Sequence, residues 1–361
     1  MSDHARLSPS AASRWFRCPG SVREEAKYER TSGPAAVDGT HTHTLVEKCI
    51  NNGLMDPVLM VGTELSDDDG KFTVDIERAK RTLVMINYIR GAKTESSVIW
   101  AERKVDAGWW IGRDDINGTA DCIIYEKDAG TLEIIDYKDG MVPVAVEGNP
   151  QLMIYALGAI RATLAEGEEI PYKNIRITVI QPKLVLKGMN AVSYHEITIE
   201  SLMAFKDELV RYASETDDPD APLVPGAQCK WCDHKGACTA MVTKSLDDSG
   251  ISFEDVSKQA ADKEPTDMTD EQIKEIMEAA PLIKQMLEGV AAEAQRRLES
   301  GIQVSGLKMV RGRGTRKWSL DEEEMADKLK RMGLPKGVIY PTKLISPAQA
   351  KKVVWEKKDG T

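Results

Sequence analysis

No stretch of this 361-residue chain approaches the ~18–20 consecutive apolar residues that a membrane helix requires, so no membrane partner is expected. The opening segment, Met1 to Arg17, is polar and lacks the apolar core of a secretory signal, which predicts a protein of the cytoplasm. Internal repeats and long low-complexity tracts are also absent, leaving a globular reading. Positive charge is in deficit: 48 basic against 58 acidic residues give a net charge of −10. Taken alone, that argues against a nucleic-acid partner, because phosphate binding needs a positive surface. The average hides an asymmetry, however. Acids crowd residues 64–69, 207–220 and 247–275, whereas basic residues dominate after Gly301, including Lys308, Arg311, Arg313, Arg316 and Lys317. Net charge therefore does not exclude DNA. The six cysteines are expected to be thiols or metal ligands in a reducing compartment, not disulfides.

What is present is an ordinary globular composition, 42% hydrophobic and 29% charged, on a chain long enough for one large core and an appended domain. Periodicity predicts a short helix from Ala11 to Arg17, a loop at Gly33 and Pro34, and helices over 40–51 and 76–90, with a surface loop at 67–70 between them. Strands are predicted over 98–105, 116–125 and 131–137, the last two joined by a turn at Asp128-Ala129-Gly130. Pro150 opens a helix to about Glu166. Strands over 175–181 and 191–197 follow, then a helix over 199–214. This order implies a mixed α/β (α+β) fold, with a mixed sheet flanked by helices. Polar linkers lie at 217–225 and 247–266. Thr269 and Gln272 form a capping box for a helix to about Leu298, which Pro281 should kink or split. The segments 304–318, 321–332 and 346–355 read as a small β/α appendage. The expected division is 1–245 and 246–361.

The chemistry concentrates in two neighbouring strands. Gly118-Thr119-Ala120-Asp121 ends one, and Asp136-Tyr137-Lys138 ends the next. Asp136 and Lys138 share a face at i, i+2, and a hairpin would bring Asp121 near them. Two close carboxylates favour a hard divalent cation, and a lysine beside them can hold a water or the charge growing on a phosphate. Such a layout serves metal-assisted phosphodiester hydrolysis. His43 and Glu47 share a helical face at i, i+4, as do Gln151 and Tyr155. Glu102, on the first strand, is a weaker candidate, and His41 points away from His43.

These motifs, in this order, resemble those of RecB-like nucleases of the PD-(D/E)XK superfamily: Gly39-x-x-x-His43, Gly118 to Asp121, Asp136-x-Lys138 and Gln151-x-x-x-Tyr155. The resemblance covers about Leu7 to Thr239. The segment from Leu7-Ser8-Pro9-Ser10 to Cys18-Pro19 also resembles an uncharacterised phage-borne group, domain of unknown function 2800. The nuclease resemblance implies a restriction-endonuclease-like core and Mg²⁺ or Mn²⁺ held by His43, Asp121, Asp136 and the backbone carbonyl of Tyr137. It implies that Lys138 is the catalytic lysine, that Gln151 and Tyr155 steady the site or the DNA backbone, and that Glu47 is a further acid near the metals. The expected activity is hydrolysis of DNA, as an exonuclease acting in phage or bacterial recombination, replication or end processing. The alternative is a catalytically silent DNA-binding or scaffolding module of such a complex.

Cys229-x-x-Cys232-x5-Cys238 offers three sulfur ligands, and Cys18, at a helix end before Pro19-Gly20, is the better fourth. Cys49 and Cys122 read as buried small apolar residues; His234 is a less favoured ligand. One early cysteine with a late triplet resembles the iron–sulfur staple of AddB-like nucleases and their CRISPR-associated relatives, implying a 4Fe–4S cluster; zinc suits the same thiolates. Beyond residue 247, the run Arg311, Arg313, Arg316, Lys317 and Trp318 could contact phosphates and stack on a base, or be a solvated strand edge. The helix at 270–298 could pack on the core or mediate self-association.

Overall fold

The computed structural model describes residues 5–28, 33–164, 170–249, 270–310 and 322–333. The N-terminal segment is anchored first. Leu7 is fully buried, its N–H donates to the Asp115 carbonyl at 3.0 Å, and the Trp15 indole donates to the Ser8 carbonyl at 3.1 Å. In place of one helix over 11–17, a 3-10 turn (Pro9–Ala11) leads into a single α turn, α1 (Ala12–Trp15), followed by α2 (Gly20–Glu25). α3 (Pro34–Asn51) begins earlier than periodicity indicated. A proline at the first helical position has no N–H to leave unpaired, so the Gly33-Pro34 pair starts the helix instead of interrupting a loop. Residues 67–70, expected as a loop, are the turn of a small hairpin, β1 (Glu64–Asp67) and β2 (Gly70–Thr73). α4 (Ile76–Ala92) follows, capped by the Asp75 carboxylate, which accepts from the Arg78 N–H at 2.8 Å.

The central sheet comprises β3 (Ser97–Asp106), β4 (Asn117–Glu126), β5 (Thr131–Tyr137), β6 (Asn174–Ile180) and β7 (Val192–Thr198), in that spatial order. All pairings are antiparallel except β5 with β6, which are parallel and joined through α5 (Pro150–Thr163). The expected tail of α5 beyond Leu164 lies outside the described residues. α6 (Ile199–Glu215) closes this part, with Thr198 capping its start. Alternation along β5 divides two cores: Leu132 and Ile134 face α5 and α6, while Ile135 and Tyr137 face α3 and α4. This is the expected mixed α+β architecture, a five-stranded sheet with helices on both faces, consistent with a restriction-endonuclease-like core.

α5 lies unusually close to β3. A methyl group on Gly158 would sit 2.8 Å from Val105 Cβ and 2.9 Å from the Asp106 backbone nitrogen. The neighbour is largely main chain and cannot rotate away. Gly158→Ala will therefore destabilise the fold by about 1–3 kcal/mol despite alanine's better helix propensity. A urea melt checks this, and an unchanged midpoint would show that β3 yields.

Beyond α6, two 3-10 turns (Ala227–Trp231 and Asp233–Gly236) carry the late cysteines, and α7 (Thr239–Ser249) follows. α8 (Asp270–Glu299) runs unbroken through Pro281, which was expected to kink or split it. One proline removes a single helical hydrogen bond, and the next turn is held by packing: Leu282 and Met286 rest on Cys229, Cys238 and Met241. Its expected cap, Thr269, lies outside the described residues. The chain divides into two compact units, Met1–Ile302 and Gln303–Thr361, past the 245/246 boundary read from the sequence, because α8 packs on the cysteine turns. The second unit contains α9 (Glu322–Arg331), the helix expected over 321–332. Residues 304–310 form no strand, and 311–318 and 346–355 lie outside the described residues.

Candidate metal centre

The β4–β5 register pairs Cys122 with Ile135, which brings Asp121 and Asp136, one step further along, beside each other. Both carboxylates are buried. Asp121 Oδ2 accepts from the Tyr137 N–H at 2.6 Å, a side-chain bond that takes over where the ladder ends. Lys138, just past β5, is pinned by its own N–H to the Ile180 carbonyl at 2.9 Å. Asn149 caps α5 by accepting from the N–H groups of Gln151 and Leu152 at 3.0 and 3.3 Å, which orients the first turn. Gln151 then bridges the site: its Nε2 donates to Asp136 Oδ1 at 3.0 Å and its Oε1 accepts from Lys138 Nζ at 3.1 Å. Lys138 Nζ also lies 3.0 Å from Asp136 Oδ2. The Tyr155 hydroxyl accepts from Gln151 Nε2 at 3.4 Å.

His43 reaches the same place from the opposite layer. Its Nδ1 lies 3.3 Å from Asp121 Oδ1 and 3.9 Å from Glu102 Oε1, and its ring stands edge-on to Tyr137 at 5.6 Å. One ligand atom from each of His43, Glu102 and Asp121 lies within 4.8 Å of the others, a set of one imidazole and two carboxylates that fits a divalent cation. Glu102, a weaker candidate by sequence, thus joins His43 and Asp121 in this set. It sits in β3 with φ +44°, a left-handed conformation that a glutamate rarely adopts and that concentrates at functional sites. Glu47 is half-buried on α3 and its charge is felt at Glu102. His41 is structural: it stacks on Phe72 and bonds Asp67 at 2.6 Å.

Crowded negative charge shapes the ionisation. Burial, then Asp121, pushes the Glu102 carboxyl up to about 8. Burial also lifts Asp136, to about 6, against the pull of Lys138. At Asp121 burial is outweighed by His43 and Lys138, which hold its carboxyl below the usual range. Burial opposes the charged His43 ring, but Asp121 and Glu102 raise it to about 9. A cation bound among these groups would relieve the repulsion. Glu102→Gln will therefore raise the melting temperature of metal-free protein while reducing the further rise on adding Mn²⁺. Differential scanning fluorimetry with and without the ion reads both; an equal Mn²⁺ response in the variant would remove Glu102 from the centre.

A second network, not foreseen from sequence, holds the chain leaving Lys138. Asp139 accepts from Arg81 Nε at 2.9 Å, Lys183 Nζ at 2.8 Å and the Tyr137 hydroxyl at 3.0 Å. These are positioning contacts, scattered over three elements and without a local signature.

Of the four cysteines, Cys229 and Cys238 share one small core cluster, and the charge of Cys18 is felt at both. All are buried free thiols. Cys18 Sγ accepts from the Val224 N–H at 3.2 Å and Cys229 Sγ from the Gly226 N–H at 3.4 Å. Burial pushes the Cys229 thiol up, and nearby Cys18 and Cys238 add to the push; Cys232 rises to about 12, by burial first, with Cys229 contributing. His234 is engaged elsewhere, with Tyr28 at 3.1 Å and Glu24 at 3.5 Å. Cys49 and Cys122 are fully buried in the core between the sheet and α3, as small apolar residues. Arg311, Arg313, Arg316 and Lys317 lie outside the described residues. Among the described residues no helix is long and apolar enough to cross a membrane.

Fold and centre together define an α+β chain with a histidine–carboxylate–lysine cluster at the end of its sheet. Over residues 4–360 the sequence matches the family described as Protein of unknown function (DUF2800), and the chain belongs to that family.

Proposed function

We propose that the protein is a divalent-metal-dependent deoxyribonuclease of the PD-(D/E)XK type, an exonuclease acting on DNA ends in phage or bacterial recombination, replication or end processing. The observation that carries this reading is the convergence of His43, Asp121, Asp136, Lys138 and Gln151, from both layers, on one end of the β4–β5 ladder. His43, Glu102 and Asp121 would hold Mg²⁺ or Mn²⁺, with Asp136 adjacent. The ion supplies charge stabilisation at the phosphoryl oxygens and a nucleophile usable at neutral pH. Lys138, held by Asp136 and Gln151, presents its ammonium to the attacking water and to the charge developing on the phosphate. Gln151 fixes both partners, and Tyr155 fixes Gln151. The four cysteines would carry a 4Fe–4S cluster that ties the N-terminal segment to the late turns; a brown protein absorbing near ~400 nm distinguishes it from colourless zinc.

The test uses anaerobically purified protein and end-labelled single- and double-stranded DNA with Mg²⁺ or Mn²⁺. Metal-dependent cleavage supports the reading, and the product ladder gives polarity. A folded, coloured protein that binds DNA and never cuts it would overturn the enzymatic assignment.

A further inference from the structure

We infer that the cavity beside the acidic centre is a nucleotide subsite that admits a single DNA strand and excludes a duplex; this rests on the nuclease reading. The cavity measures about 550 Å³, and Ser8, Pro9, Ser10, Lys104, Thr119 and Tyr155 line it. Pockets of this size hold one nucleotide-sized ligand, whereas a duplex is too broad to enter. Tyr155 joins it to the centre: its ring lines the cavity, and its hydroxyl meets Gln151, which holds Asp136 at 3.0 Å. Thr119 and Lys104, paired across β4 and β3, lie two residues from Asp121 and Glu102 on the same strands.

The walls are built to stay. Leu7 is locked to Asp115 by its backbone, and Arg6 donates to the Thr216 carbonyl at 2.6 Å and pairs with Asp115 at 3.2 Å. Gly118 allows the close fit. A methyl group there would approach Tyr155 Cε1 to 3.2 Å and Pro9 Cδ to 3.3 Å, so a side chain would press the wall and the tyrosine apart. The chemistry is divided as a nucleotide requires. Pro9 and the Tyr155 ring offer apolar and aromatic surface for a base. The Ser8 and Ser10 hydroxyls, 2.9 Å apart, and the Lys104 ammonium offer donors for sugar and phosphate.

The experiment measures fluorescence anisotropy in EDTA, with labelled oligothymidylate and a blunt hairpin duplex as probes, for the full chain and for Ser10→Trp and Lys104→Glu. Ser10→Trp fills the cavity; Lys104→Glu reverses a surface charge with little risk to folding. Wild type is expected to favour the single strand, and each variant to weaken that binding by about tenfold or more. In Mn²⁺ cleavage assays the variants should raise KM and leave kcat nearly constant. Duplex bound as tightly as single strand, or unchanged affinity in both variants, overturns the subsite even if cleavage is robust. Conversely, cavity-dependent strand binding with no cleavage under any metal keeps the subsite and overturns the nuclease reading.

Discussion

Asp136→Asn will leave the protein folded and lower metal-dependent DNA cleavage by about 10³-fold or more. Asparagine has the shape of aspartate, so the bond from Gln151, 3.0 Å in the native site, has an acceptor to keep. What disappears is the anion beside Lys138 and next to the candidate metal ligands. Folding should tolerate the change because burial already disfavours the ionised form, lifting the carboxyl to about 6. Lys138→Ala should cost about 10²–10⁴-fold, the range for a group that manages a proton or charge in the transition state. Circular dichroism and a thermal melt establish that both variants are folded; end-labelled DNA reads the chemistry. Wild-type rates in Asp136→Asn would place the reaction elsewhere.

With the proposed 4Fe–4S cluster in place, Cys18→Ser will lose the chromophore and a large share of the stability. A group held by Cys18 and Cys229 closes a loop from residue 18 to residue 229, and chain closure of that length is worth on the order of 5 kcal/mol in the unfolded-state account. The melting temperature should fall by roughly 10 °C. The fold should survive, because contacts independent of sulfur tie the same segments: Gly20 N–H to the Pro222 carbonyl at 3.1 Å, Arg14 to the Trp231 carbonyl at 3.0 Å, and Asp233 N–H to Glu25 at 2.9 Å. Cys49→Ala is the control: Cys49 is buried in the core under α3, so its loss should cost a little packing and no colour. Absorbance near ~400 nm, with iron and sulfide analysis, decides the matter. A Cys18→Ser protein with its full iron content would show that the fourth ligand lies elsewhere.

Several elements were legible because their signals are local. β5 has the bounds that alternation indicates, 131–137. Asn149-Pro150 announces α5, since a capping side chain and a proline at the first turn act within a few residues. Asp121, Asp136, Lys138, Gln151 and His43 stood out by spacing on strands and helices, and the structure gathers them. Glu102 was harder to see. It belongs to the centre because β3 pairs with β4 in one register and the backbone turns to φ +44° there, and neither is written in the residues around it. Asp139, Arg81 and Lys183 meet from three separate elements, so no spacing could pair them.

By itself the sequence determined the mixed α+β class, the order of the central strands and the helices that flank them, and the acidic, lysine and cysteine residues with chemistry to offer. Periodicity, turns and caps act over a few positions and survive without a fold. Tertiary structure alone decided that His43 comes from one layer and Gln151 from the other to the same pair of strands. It also decided that Pro281 leaves α8 unbroken under the packing of Leu282 and Met286, and that the N-terminal strap walls a cavity beside Tyr155. Those outcomes depend on long-range register and on burial, which hold groups within hydrogen-bonding distance only once both cores have closed around the sheet.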